Sequence, residues 1–183
     1  MSRPVLQVIA GSTRPGRKGI AVAQWVARQA EAHGGFDVEL VDLADAGLPV
    51  LDEPNHPRLG QYTQQHTKDW SATISRADAF VFVFPEYNHS IPGGFKNAVD
   101  SLGPEWQGKT VAFVSYGADN GVRAVEHWRQ IVANFHMVGV RQQVSLSRFR
   151  EFGDDGLALL DRRDGELDTL FDQLESMAAT LAA

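Results

Sequence analysis

Three short apolar runs constrain the fold of this chain more than any other feature: Val5-Leu6-Gln7-Val8-Ile9-Ala10, Ala79-Phe80-Val81-Phe82-Val83-Phe84 and Thr110-Val111-Ala112-Phe113-Val114. Each is rich in β-branched or aromatic residues and ends at Gly, Pro or Ser. Runs that are apolar at nearly every position suit strands buried on both faces, so these three are expected in the middle of a parallel sheet. Two weaker candidates complete a set of five: Asp37 to Val41, alternating like an edge strand, and Val138 to Val144.

Helical spacing fills the intervals, over Ile20 to Ala32, about Leu59 to Arg76, Gly94 to Leu102, Val122 to Phe135 and Leu167 to Leu181. In the first, Ile20, Val22, Ala23, Val26, Ala27 and Ala30 fall on one face at intervals of three and four. This alternation predicts a doubly wound α/β sheet, each crossover returning the next strand parallel to the last. Leu43 to Arg58, broken by Pro49, Pro54 and Pro57, reads as an exposed loop. Arg148 to Gly165, with Asp154-Asp155-Gly156 and Arg162-Arg163-Asp164-Gly165, reads as a similar one. At 183 residues, one domain over residues 1–183 is expected.

Charge and cysteine usage narrow the chemistry. A formal net charge of −6 argues against a nucleic-acid or anionic-membrane surface, both of which want clustered Lys and Arg. The absence of Cys removes disulfides, thiolate metal sites and cysteine nucleophiles, so redox chemistry would have to come from a bound cofactor. The six His residues are scattered without metal-ligand spacing, and no metal is expected. The apolar run after Met1-Ser2-Arg3-Pro4 is too short for a signal-peptide core or a membrane span, so a cytoplasmic location is expected.

In an open parallel sheet, ligands sit beyond the carboxyl ends of the strands. The loop after the first strand, Gly11-Ser12-Thr13-Arg14-Pro15-Gly16-Arg17-Lys18-Gly19, combines glycines, hydroxyls and three cations before a helix opens at Ile20. Free amides and the positive end of a helix dipole make such a loop a cradle for a dianionic phosphate; a basic, solvated turn is the plain alternative. Walker A fails here, because Gly16 is followed by Arg17 and Lys18 and then Gly19, and there is no G-x-G-x-x-G. A mononucleotide therefore fits better than ATP or a tightly bound dinucleotide.

The loop after the third strand, Pro85-Glu86-Tyr87-Asn88-His89-Ser90-Ile91-Pro92-Gly93-Gly94, offers an aromatic face at Tyr87 and polar groups at Asn88, which suit a flat heterocycle. Ser90 is placed to cap the following helix, and Pro92 suits its first turn. Lys96, Asn97 and Asp100 are read as fixing that helix. The third loop, Ser115-Tyr116-Gly117-Ala118-Asp119-Asn120-Gly121, adds a hydroxyl, an aromatic group and glycines. Arg123, just beyond it, reads equally as a surface cation or a phosphate contact.

The segments Gly11 to Arg17 and Pro85 to Asp100 resemble the phosphate loop and flavin-ring segment of the NAD(P)H-dependent FMN reductases. The likeness covers about residues 5 to 135. It implies a flavodoxin-like fold of three layers, with FMN as cofactor and NADPH or NADH as cosubstrate. By the same resemblance the cofactor site would draw on Ser12, Arg14, Arg17, Lys18, Gly19 and Ile20, on Pro85, Glu86, Tyr87 and Asn88, and on Ser115, Tyr116 and Gly117. No catalytic side chain is required. The family usually carries a Gly pair in the third loop, where this chain has Asn120-Gly121.

Electrons would pass in a ping-pong cycle to a small-molecule acceptor: a quinone, an azo dye, a metal oxyanion such as chromate, or free flavin. Two other readings stay open, a flavodoxin-type electron carrier and a mononucleotide-binding module without redox activity. The resemblance also implies a homodimer or homotetramer. Trp70, Phe95 and Trp106 could serve such an interface, or could be core residues.

Overall fold

The computed structural model describes residues 3–154 and 156–182. Met1, Ser2 and Asp155, named above, lie outside the described residues. The elements run β1 (Val5–Ala10), α1 (Gly19–His33), β2 (Asp37–Asp42), α2 (Gln65–Ser75), β3 (Ala79–Pro85), α3 (Gly93–Asp100), β4 (Thr110–Gly117), α4 (Val122–Ala133), β5 (Val138–Ser147) and α5 (Arg162–Leu181), with short 3-10 turns at Pro57–Leu59 and Pro104–Trp106. The strands form one parallel sheet in the order β2-β1-β3-β4-β5. That is the flavodoxin-like order, whose strand sequence reverses between β1 and β3. The three fully apolar runs occupy the middle of the sheet and the two weaker strands its edges.

Two cores follow from the period-2 geometry of the strands. On β3, Ala79, Val81 and Val83 face α1 and α5, while Phe80, Phe82 and Phe84 face α2, α3 and α4. Burying each Phe is worth roughly 1.5–3 kcal/mol. The second core is aromatic: Phe82 lies 4.8 Å from Phe95 and 5.2 Å from Trp128, and Phe80 lies 5.1 Å from Trp106, centroid to centroid. Trp70, Phe95 and Trp106 are all buried in it. Their aromatic character is thus explained by the core and gives no support to an interface.

Helix boundaries moved where local chemistry overrode periodicity. The second helix begins at Gln65, not near Leu59, because Gly60 turns the chain with φ +62° after a separate 3-10 turn. The last helix begins at Arg162 and runs through Gly165. The preceding stretch is not simply exposed. Glu151 is fully buried, pairing with Arg163 at 2.7 and 2.8 Å and accepting the Ser147 amide at 2.8 Å. Among the described residues no helix is long and apolar enough to cross a membrane.

Candidate functional site

The loop after β1 is built by close approach. The Gly11 amide donates to the Val83 carbonyl at 2.8 Å, clamping the loop to β3. A side chain at Gly11 has no room, since its Cβ would lie 2.0 Å from the Phe95 ring. Ser12 is buried, its Oγ 3.1 Å from the Tyr87 hydroxyl, which joins this loop to the one after β3. α1 then opens with Lys18 as its N-cap, no side-chain cap and no acidic residue in its first turn. Its first amides therefore keep their donors and the positive end of the helix dipole uncompensated.

The three loop cations differ in their commitments. Arg17 forms an ion pair with Asp42 at the end of β2, while its Nε is buried without an acceptor among the described residues. The Lys18 ammonium donates to the Gly153 carbonyl at 2.8 Å. Arg14 is exposed, and its side chain has no hydrogen-bond or ion-pair partner among the described residues.

Beyond β3, Tyr87 and Ser90 exchange backbone hydrogen bonds at 2.9 and 3.0 Å around a two-residue turn. Asn88 and His89 both have positive φ, +50° and +71°, as a tight turn of this hand requires. Asn88 thus occupies the turn's tip for a conformational reason as well as any binding one. Ser90 does not cap the next helix. Its hydroxyl meets His127 Nδ1 at 2.8 Å, and Pro92 is the N-cap of α3. Asn97 instead holds the long loop after β2, donating to the Pro49 carbonyl at 2.8 Å and accepting from the Leu51 amide at 2.9 Å. The Glu86 carboxylate pairs with Arg123 and accepts its amide at 3.2 Å at the start of α4, and Asp119 takes the other side of the guanidinium. Arg123 is thereby engaged within the protein.

Ser115, Tyr116 and Gly117 belong to β4, not to the loop after it, because they continue the ladder with β3 and β5. Ser115 is fully buried, donating to the Asn120 carbonyl at 2.8 Å, so its hydroxyl shapes the loop from beneath. Tyr116 is nearly buried. Burial, with the neighbouring Tyr87 phenol, pushes its hydroxyl well above the ordinary tyrosine range, so it stays a neutral donor and acceptor. Asn120 and Gly121 both have positive φ, +60° and +76°. Asn tolerates that region better than most residues, so Asn120 adopts it without being a glycine.

These loops enclose a cleft of about 230 Å³ at the carboxyl ends of β1, β3 and β4. Its walls include Ser12, Arg14, Arg17 and Lys18 from one side and Pro85, Glu86, Tyr87, Tyr116 and Gly117 from the others. Gly19, Ile20, Asn88 and Ser115 are not among the walls. Two wall residues went unread in the sequence, Arg148 and Phe152. Both follow β5, and the signal for them was a cation and an aromatic group just past a strand end. No cluster of three or more His, Asp or Glu able to hold a metal occurs among the described residues.

A family model for NADPH-dependent FMN reductase matches residues 5–151. The chain is 46% identical over 120 residues to an NAD(P)H-dependent FMN reductase of Schizosaccharomyces pombe, a match covering 64% of this chain and 60% of that one. It is 44% identical over 125 residues to an NAD(P)H-dependent FMN reductase of a Nectria species, covering 65% and 62%. The chain thus spans less than two thirds of the length of these two relatives. Among solved structures, FerB, a flavoenzyme NAD(P)H:(acceptor) oxidoreductase from Paracoccus denitrificans, shares the fold with a TM-score of 0.74 at 19% identity, over 97% of this chain and 98% of that one. With most of its length matched by the family model, this chain belongs to the NADPH-dependent FMN reductase family.

Proposed function

We propose that this chain is an FMN-dependent oxidoreductase that takes electrons from NADPH or NADH and delivers them to a small-molecule acceptor. The observation that carries the reading is one cleft shared by a cationic loop at an uncapped helix N-terminus and by the Pro85 to Tyr87 turn. The donor set fits FMN: amides, a buried hydroxyl and cations for a phosphate, an aromatic face and backbone groups for a ring. The buried Arg17 Nε, lacking an acceptor among the described residues, is a donor that a phosphate oxygen would satisfy.

In this reading Ser12, Arg14, Arg17, Lys18 and the amides at Gly19 and Ile20 hold the phosphate end. Pro85, Glu86, Tyr87 and Asn88 receive the ring, with Tyr116 and Gly117 beneath and Ser115 supporting them. Bound FMN supplies the redox chemistry, accepting two electrons from the nicotinamide and releasing them onward. The protein's work is binding and orientation, and no side chain has to form a covalent bond. One small cleft would receive nicotinamide and acceptor in turn, which supports a ping-pong order. Quinones, azo compounds, metal oxyanions and free flavin are the acceptors to compare. A cytoplasmic homodimer or homotetramer belongs to the same reading, and light scattering that finds only monomers would remove the assembly.

The deciding experiment is anaerobic. The purified protein, supplied with FMN, should show a flavin spectrum that bleaches when NADPH or NADH is added. Bound flavin that neither nucleotide reduces would instead indicate a flavodoxin-type carrier. No affinity for FMN would refute both flavin readings and leave a mononucleotide-binding module.

A further inference from the structure

We propose that Arg148, on the loop after β5, is a second cationic ligand for the cofactor's phosphate, acting together with Arg14. The inference rests on the FMN reading above and concerns a part of the chain outside both loops that carry the family likeness. It begins from which cations of the cleft are free to turn toward an anion. A phosphate monoester carries close to two negative charges at neutral pH. Among the loop cations, Arg17 is already matched by Asp42 and Lys18 is held by the Gly153 carbonyl, while Arg123 is taken by Glu86 and Asp119. Lys18 keeps its charge, since a carbonyl does not neutralise it, but one of its donors is engaged by Gly153, and Arg14 is the phosphate loop's cation whose side chain has neither an acidic nor a hydrogen-bonded partner among the described residues.

Arg148 lines the same cleft and likewise has no side-chain hydrogen bond or ion pair among the described residues. An exposed arginine is ordinarily a poor ligand, because holding its long side chain in one place costs conformational entropy. Here part of that cost is met by the surroundings. The Arg148 amide donates to the Gly117 carbonyl at 2.9 Å, fixing its backbone to the end of β4. Its guanidinium lies 5.7 Å from the centroid of the Phe152 ring, and that ring lies 5.4 Å from Tyr116. A guanidinium resting on an aromatic ring uses its face and leaves the N–H groups at its edge for an anion.

The loop that carries Arg148 and Phe152 is itself locked. Fully buried Glu151 binds Arg163 and the Ser147 amide, and the Ala158 amide donates to the Glu151 carbonyl at 2.9 Å. Lys18 uses one of its three N–H donors on the Gly153 carbonyl, which also ties the loop of Arg148 to the phosphate loop.

The test compares FMN with riboflavin, which lacks the phosphate. Flavin-free protein is titrated with each ligand and quenching of flavin fluorescence gives the affinities. Arg148→Ala should weaken FMN by about tenfold or more, as expected for loss of a charge-assisted contact, and leave riboflavin unchanged within about twofold. Arg148→Lys should recover part of the loss, and exposed Arg150→Ala should behave as wild type. Thermal unfolding without flavin checks that each variant is folded, as an exposed side chain predicts. Equal losses for both ligands would make Arg148 a loop-packing residue and overturn the proposal, as would unchanged FMN affinity. A wild-type protein that binds neither flavin would overturn the FMN reading itself, an outcome distinct from wild-type binding that ignores Arg148.

Discussion

The hydroxyl of Tyr116 occupies the space that a side chain at Gly19 would need. A Cβ built on Gly19 lies 2.2 Å from the phenolic oxygen and 3.1 Å from the ring carbon bearing it. The first residue of α1 and the penultimate residue of β4 are therefore matched in shape, and the loop after β1 can open its helix only against this strand end.

Gly19→Ala gives the first prediction. In an open helix position the change would stabilise by up to about 1 kcal/mol. Here it should destabilise by about 1–3 kcal/mol through overpacking and weaken FMN retention. Tyr116→Phe, which removes the obstructing oxygen, should recover part of the loss in the double variant. Urea unfolding of the four proteins checks the cycle, and additive effects would show that the two residues do not meet.

The Asn120-Gly121 pair should behave as a conformational unit. Asn120→Gly should be neutral to within about 0.5 kcal/mol, whereas Asn120→Ala should cost about 1–2 kcal/mol for placing an ordinary side chain at positive φ. Gly121→Ala should cost more, because its Cβ would also lie 2.7 Å from the Ser115 Cβ. Melting temperatures of the three variants give the order.

Glu151 and Arg163 form a buried pair whose halves depend on each other. Burial works to raise the Glu151 carboxyl, but the Arg163 guanidinium and the Ser147 amide overcome it and hold the group below its ordinary value. Arg163→Ala should destabilise by about 3–5 kcal/mol, since it leaves the buried Glu151 charge alone, and Glu151→Ala by less, since Glu166 at 2.5 Å still pairs with Arg163. Replacing both with apolar residues of similar size should cost much less. Equilibrium unfolding of singles and double decides it.

Glu53 predicts an acid-dependent fastening of the long loop after β2. Partial burial opposes its charge, yet the Thr63 and Gln64 amides and the Thr63 hydroxyl, at 2.8 to 2.9 Å, hold its pKa at about 2. A carboxyl depressed on folding stabilises above its ordinary value of 4.5, and that contribution is lost as pH falls from there toward 2. Glu53→Gln should therefore narrow the difference in stability between pH 5 and about pH 2.5. Identical acid limbs for variant and wild type would show that this carboxylate does not fasten the loop.

How far the site could be read in sequence depended on how local each signal was. The loop from Gly11 to Gly19 and the turn at Pro85 to Asn88 announce themselves because their glycines, prolines and cations are contiguous. Ser115 and Arg17 are expected at the site from their loops, but Ser115 is not among the cleft walls, and the partners Asn120 and Ser145 of Ser115 and Asp42 of Arg17 lie outside β4 and the first loop respectively. Arg148, Phe152 and the Glu151–Arg163 pair were hidden in a stretch whose Asp, Gly and Arg content resembles any solvated loop. Nothing local distinguishes a buried acid there from an exposed one.

The order of strands and helices, the two-faced burial of β1, β3 and β4 and the chemistry of the two loops were therefore determined by sequence alone, because they rest on periodicity and on residues adjacent in the chain. The tertiary structure decided which charges remain uncommitted. Pairing of Arg17 with Asp42, of Lys18 with Gly153 and of Glu86 with Arg123 joins residues 25 to 135 positions apart. Such pairs form only when the crossover topology brings the strand ends to one edge of the sheet.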